Sequence, residues 1–271
     1  MNIGVIAFTT EEYYDLSLEL IDSVLKFTTF PFTLYTIGFV RSHYNERVNI
    51  VQVEEEPDFQ NWQTKCFYKH KICALTPYEV TVYLDTDIIV TKEFEQFFTI
   101  RYNDILTSNT LLGNAHPHSP STDVNFPVRP YINNFFKMFN VEEIPGYLLA
   151  SLYAYKRDMI SFFDELYKKD KTLAQQNIIP IAGDEMTLNL FLYKKQLLEG
   201  TDCGFDISPN YSEGFFESYI DDTWETCSKY IKDYKNFNRQ VKPILFHGNK
   251  DVAYAKYMIV EITNKNSYII K

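Results

Sequence analysis

Two aspartates one residue apart, Asp85-Thr86-Asp87, lie between the apolar runs Val80-Thr81-Val82-Tyr83-Leu84 and Ile88-Ile89-Val90. Both runs read as buried strands, so the pair falls at the carboxyl end of a strand, where open α/β sheets bind ligands. Two carboxylates held together there repel each other unless a positive group binds them, and a hard divalent cation satisfies both. An Asx turn that ends the strand is the plain alternative. A second acidic pair, Gly183-Asp184-Glu185, opens a helical stripe, where the helix dipole alone would favour it. A third group, Phe246-His247-Gly248, follows a short apolar run, and a histidine in a capped turn is its simplest reading.

The elements that must hold these residues follow from periodicity. Ile3 to Phe8 is an apolar run that ends in the capping pair Thr9-Thr10. Tyr14, Leu18, Ile21 and Leu25 then form a helical stripe that closes near Phe27. Phe32 to Ile37 and Val48 to Val53 read as strands, and Asn61 to Leu75 reads as one helix closed by Thr76-Pro77. Strand, helix and strand alternate up to Leu84. That pattern predicts βαβ units, a mostly parallel central sheet and helices on both faces. The second half is less regular. Asn109 to Pro130 carries four prolines with little periodicity and reads as a long surface loop. Leu148 to Tyr155 reads as a strand. Met159 to Tyr167 and Met186 to Leu197 read as helices, and Ile244 to Phe246 as a short strand. The tail, Tyr257 to Ile262 and Ser267 to Ile270, is expected to pair as a hairpin.

Composition narrows the class. The 271 residues carry a net charge of −10, which disfavours a nucleic-acid backbone as partner. The hydrophobic share of 45% excludes a disordered chain. No uncharged apolar run approaches the roughly 18 residues that a membrane span needs. The start, Met1-Asn2-Ile3, has no leader-like pattern, and the four cysteines lack CxxC spacing, so a cytoplasmic protein with reduced thiols is expected. With 22 Phe and 21 Tyr, aromatics are abundant; core packing accounts for them better than sugar-stacking platforms do.

Taken in order, the motifs resemble a known family. Tyr83-Leu84-Asp85-Thr86-Asp87-Ile88-Ile89-Val90 is similar to the DxD segment of GT-A-fold glycosyltransferases, especially the glycogenin-like and bacterial lipopolysaccharide galactosyltransferase group. The opening strand with Thr9-Thr10-Glu11-Glu12-Tyr13 resembles that group's nucleotide-binding start. Gly183-Asp184-Glu185-Met186-Thr187-Leu188-Asn189 resembles its later acidic motif, and Phe246-His247-Gly248-Asn249-Lys250 its late histidine motif. The likeness spans most of residues 1 to 250. It implies one GT-A (Rossmann-like) domain over residues 1–271, with a nucleotide-sugar half at 1–108 and an acceptor half with the tail at 109–271.

The resemblance also implies roles. Asp85, Asp87 and His247 would ligate Mn²⁺, with Mg²⁺ as the alternative, and imidazole in the set suits Mn²⁺. Ala7, Phe8, Thr9, Tyr13 and Thr86 would border the nucleotide, and Lys69 and Lys250 would touch its phosphates or sugar. Lys65 and Lys71 compete with Lys69 for that contact. Asp184 and Glu185 would face the reacting sugar as catalytic residues. The donor is expected to be a UDP-sugar, the acceptor a hydroxyl on a glycan or glycoprotein, and the outcome retention. Three departures stand out. Phe8-Thr9-Thr10 replaces the group's uracil-reading Asp, Asp251-Val252 replaces the Pro-Trp that follows its lysine, and Glu185 stands where the lipopolysaccharide enzymes have Gln. A sugar nucleotidyltransferase and a non-catalytic nucleotide-sugar-binding protein are the rival readings. The first would normally show a Gly-rich phosphate loop after the opening strand. His116 and His118, within 109–130, would belong to an acceptor lid or to an ordinary polar loop.

Overall fold

A computed structural model describes residues 2–115, 129–144, 147–197, 217–219, 245–247, 250 and 252–266. In chain order its elements are β1 (Ile3–Thr9), α1 (Tyr14–Phe27), β2 (Phe32–Ile37), β3 (Val48–Val53), α2 (Trp62–Lys65), α3 (Tyr68–Ala74), β4 (Val80–Leu84) and β5 (Ile88–Val90). These are followed by α4 (Glu93–Thr107), β6 (Leu112–Ala115), α5 (Arg129–Lys137), β7 (Leu148–Lys156), α6 (Ile160–Gln175) and α7 (Asp184–Lys194). Last come β8 (Glu217–Tyr219), β9 (Leu245–His247) and α8 (Val252–Asn266). The fold is α/β. Its central sheet has six strands in the order β3-β2-β1-β4-β7-β6 and is flanked by helices; β5, β9 and β8 make a smaller sheet. The chain forms two compact units, 1–8 with 53–84 and 103–206, and 9–52 with 85–102 and 207–271.

In the first unit β1 runs parallel to β4, in register from Ile3 opposite Val80 to Ile6 opposite Tyr83. β7 runs antiparallel to β4, and β6 antiparallel to β7, so β7 alone is reversed among these four strands. β4 is buried along its whole length, as expected of an apolar run inside a sheet. Gly4 admits the Tyr78 ring, because a Cβ there would lie 2.4 Å from ring atoms. Part of the aromatic excess goes into this core. Tyr83 stacks on Tyr153 at 5.0 Å, and Tyr153 on Phe163 of α6 at 5.9 Å.

The helix expected over Asn61 to Leu75 is divided. Asn61 and Thr64 form a reciprocal capping box that starts α2. The chain then tightens, with Lys69 N–H bonded to Cys66 O and His70 N–H to Phe67 O, and α3 starts afresh at Tyr68. Four consecutive residues, Phe67, Tyr68, Lys69 and His70, are buried at this change of winding. The long loop expected over 109–130 contains β6 instead at its start. Leu111 and Leu112 are buried there, and Gly113 allows close approach to Leu148 and Tyr153. Residues 116–128, with His116 and His118, lie outside the described residues.

In the second unit α1 lies on β5, and the Ser23 hydroxyl accepts from Val90 N–H at 3.2 Å. α8 packs on α1. The hairpin expected from Tyr257 to Ile262 is therefore corrected to a helix. Ala255 and Ile259, four residues apart, are buried, whereas Tyr257 between them is 39% exposed. A strand would put all three on one face; a helix separates them. Lys256 also reaches Glu19 of α1 at 3.6 Å. The second half of the expected hairpin, Ser267 to Ile270, lies outside the described residues.

Glu56, after β3, ties the first unit together. Its carboxylate accepts from Lys71 of α3 at 2.7 Å and from the Tyr167 hydroxyl of α6 at 2.6 Å, and pairs with Lys171 at 2.9 Å. Burial by itself would raise this carboxyl, but those three partners outweigh it and hold it at about 2, down from 4.5. Between these values the unfolded chain takes up a proton that the folded chain refuses. The contribution to stability is thus whole above pH 4.5 and disappears as pH falls through about 2. Glu56→Gln should be less stable than the parent at pH 7, with the gap closing as acid is added through this window. Urea unfolding followed by circular dichroism at several pH values checks this, and a gap independent of pH would contradict it.

Candidate functional site

Asp85 leaves β4, and Asp85-Thr86-Asp87 forms the turn into β5 with all three residues partly exposed. β5 pairs antiparallel with β9, in register from Ile88 opposite His247 to Val90 opposite Leu245. The pairing sets His247 across from the residue that follows Asp87. Two motifs far apart in the sequence thus meet within the second unit through main-chain hydrogen bonding. Two carboxylates and a histidine are ligand types that suit Mn²⁺ or Mg²⁺. Among the described residues no group of three His, Cys, Asp or Glu is gathered as a metal site; His247 is placed here by backbone register alone. Lys250 also joins a residue from the opening motif, with its ammonium 5.6 Å from the centre of the Tyr13 ring. Ala7 and Thr9 are buried and Phe8 is partly exposed; the Thr9 hydroxyl donates to Thr10 O at 3.0 Å.

The second acidic motif is built in the first unit. Gly183 has φ +52°, and a Cβ on it would stand 3.0 Å from Gln63 O, so both the conformation and the space demand glycine. The turn opens α7 with Asp184 and Glu185 in its first turn. Opposite them β7 extends past the end of β4, whose last partner is Leu152. Beyond that point side chains satisfy the strand. Asn189 accepts from Leu148 N–H at 2.7 Å and donates to Leu148 O at 2.9 Å. Glu185 accepts from Ala150 N–H at 3.1 Å, and the Lys69 ammonium donates to Ala150 O at 2.9 Å. Lys69 also pairs with Asp184 at 2.8 Å and lies 5.0 Å from the centre of the Tyr83 ring.

Lys69 and Asp184 are each 5% exposed, whereas Glu185 keeps part of its surface open. Burial pushes the Glu185 carboxyl up to about 7. The Ala150 N–H, Lys69 and Tyr147 oppose the shift, and the Asp184 charge adds to it. Tyr147 is held well above its ordinary range, chiefly by burial and also by Glu185. Of the competing lysines, Lys65 stands 3.9 Å from Glu55 and Lys71 is bound to Glu56, which leaves Lys69 as the one beside the acidic motif.

One pair escaped the sequence reading. His70 Nδ1 and Asp170 Oδ2 lie 2.5 Å apart, both wholly buried, between α3 and α6. Burial raises the Asp170 carboxyl, and His70 partly offsets this. Phe163 stacks on the imidazole at 6.3 Å. Lysines flank both residues in sequence, which gives them the look of solvated surface and hides the pair.

The chain matches no protein-family model and no curated protein. No helix among the described residues is long and apolar enough to cross a membrane.

Asn189 is the plainest test of how the β7 opening is held. Asn189→Leu strands the N–H and C=O of Leu148 and should cost about 2–4 kcal/mol. Urea unfolding measures it; a loss within experimental error would mean that other groups satisfy Leu148.

Proposed function

We propose that this chain is a metal-dependent glycosyltransferase of the GT-A type. It moves a sugar from a nucleotide-diphosphate sugar, a UDP-sugar first, to a hydroxyl of a glycan or protein acceptor, with retention at the anomeric carbon. The observation that carries the proposal is the β5–β9 register, which brings His247 beside the Asp85-Thr86-Asp87 turn. Two segments far apart in the sequence, whose residues the resemblance joins in one ligand set, are paired at the level of the backbone. The α/β sheet, with the DxD turn at the carboxyl end of β4, supports the same reading.

In this reading Asp85, Asp87 and His247 hold Mn²⁺, or Mg²⁺ in its place. The bound ion supplies charge neutralisation for the departing diphosphate. Thr86 and the Ala7-Phe8-Thr9 segment border the nucleotide, and Lys250 and Tyr13, already paired, lie along it. Glu185 faces the sugar, with Asp184 behind it in the same first turn of α7, and the Glu185 carboxylate stabilises positive charge developing at the anomeric carbon. The glycosidic carbon–oxygen bond to the diphosphate breaks with its electron pair leaving on the diphosphate, the acceptor oxygen bonds to the same face of the anomeric carbon, and the acceptor's hydroxyl proton passes to the departing diphosphate.

UDP binding measured by calorimetry should be weak with chelator and strengthen at least about tenfold, 1.4 kcal/mol, with Mn²⁺. Equal affinity in both conditions would overturn the metal assignment. Asp87→Ala should fold, by circular dichroism, yet lose the Mn²⁺ response. Release of UDP from UDP-glucose or UDP-galactose, with no acceptor added, distinguishes an enzyme from a protein that only binds.

A further inference from the structure

We infer that Lys69 is a positioning residue for Glu185, so that Lys69, Asp184 and the Ala150 peptide make one frame that orients the Glu185 carboxyl and tunes its charge. The inference rests on the proposed role of Glu185 toward the sugar, and goes beyond it by taking Lys69 out of contact with the donor. The geometry begins at Ala150. In a strand the N–H and C=O of one residue point to the same edge. Here the N–H is held by Glu185 and the C=O by Lys69, at 3.1 and 2.9 Å, so one rigid residue sets the two side chains next to each other. Asp184 holds the Lys69 ammonium from the other side at 2.8 Å, and the Tyr83 ring bounds it at 5.0 Å. A lysine 5% exposed, with its ammonium on a carboxylate, a carbonyl and a ring, has its position determined by all three.

The frame has an electrical consequence because its members are removed from water. Charges in such surroundings act on one another far more strongly than at the surface. The groups that face Glu185 are Asp184 on its own helix α7, Lys69 from α3, and the Tyr147 hydroxyl and Ala150 N–H next to and on β7. Lys69 favours the ionised carboxylate and Asp184 disfavours it, so the two partners of one ion pair act on Glu185 with opposite signs. Of the three residues Glu185 is the one only partly buried, and the reading above gives it the contact with the sugar. The ion pair is therefore machinery behind the reacting carboxyl.

The opposite signs provide the test. The ionisation of Glu185 is followed by infrared spectroscopy of the ¹³C-glutamate-labelled full chain, with Glu185→Gln identifying its band, and no donor is required. Lys69→Met should move the midpoint up by about one pH unit, and Asp184→Asn should move it down by a similar amount. Shifts in the same direction, or a midpoint unmoved in both, would overturn the frame. If Lys69→Met fails to fold by circular dichroism, Asp184→Asn alone decides, and a midpoint that stays or rises overturns the frame. The second measurement is the pH profile of UDP release from UDP-galactose with Mn²⁺. Its acid limb should follow the infrared midpoint in each variant, and a limb that stays in place while the midpoint moves would remove Lys69 from any positioning role in transfer. The infrared arm needs no turnover, so its failure is distinct from failure of the glycosyltransferase reading.

Discussion

An ammonium and a carboxylate taken out of water lose several kcal/mol of hydration each, and their mutual attraction restores this only with good geometry and further hydrogen bonds. Lys69 and Asp184 meet that condition because three surroundings converge on them. The Ala150 carbonyl takes a further ammonium proton, the Tyr83 ring offers its face, and the first turn of α7 favours the acid. Each surrounding depends in turn on a feature of the fold. β7 must overrun β4 to leave Ala150 open to side chains, the chain must rewind between α2 and α3 to turn Lys69 inward, and Gly183 must be glycine to bring α7 close. Removing either charge would leave the other buried and unpaired, which is the severe case for a protein interior.

The rest of the first unit forms a shell around that pair. The His70–Asp170 contact and the stacked Tyr83, Tyr153 and Phe163 rings hold α3, α6 and the sheet together. Glu56 joins α3 to α6 from the outside through two lysines and a tyrosine. The aromatic excess of the composition is thereby explained by packing. Large flat rings fill the space between sheet and helix while leaving polar groups for the few buried charges. The second unit uses another device. The pairing of His247 with Ile88, the residue after Asp87, comes from the backbone ladder of a small sheet.

Much of the first half was legible. The strands at Ile3, Phe32, Val48 and Val80 and the helix ending at Phe27 appear where apolar runs and periodicity put them, because those segments bury one face or both. The motifs were legible as residues. Errors came where neighbours decided the conformation. The tail reads as alternating, but α1 offers a surface that takes Ala255 and Ile259 together, and the chain becomes helix. α4 stands outside the elements read from periodicity, although Phe94, Phe97, Phe98 and Ile105 lie at helical spacing and are buried. β6 is short and meets an irregular partner in β7, so proline content outweighed it in the reading.

The sequence by itself determined the α/β class, the position of the DxD turn after a buried strand, and the residue types from which a metal or sugar site could be made. Periodicity and composition act locally, and the chemistry of a side chain belongs to it wherever it goes. Tertiary structure alone decided which of three nearby lysines turned inward, that Ala150 would hold Lys69 and Glu185 side by side, and that His247 would come to stand across from Ile88. It also decided that His70 and Asp170, flanked by lysines, would be wholly buried against each other. These are contacts between segments far apart in the chain. Burial, register and the strength of a charge in its surroundings exist only once those segments have met.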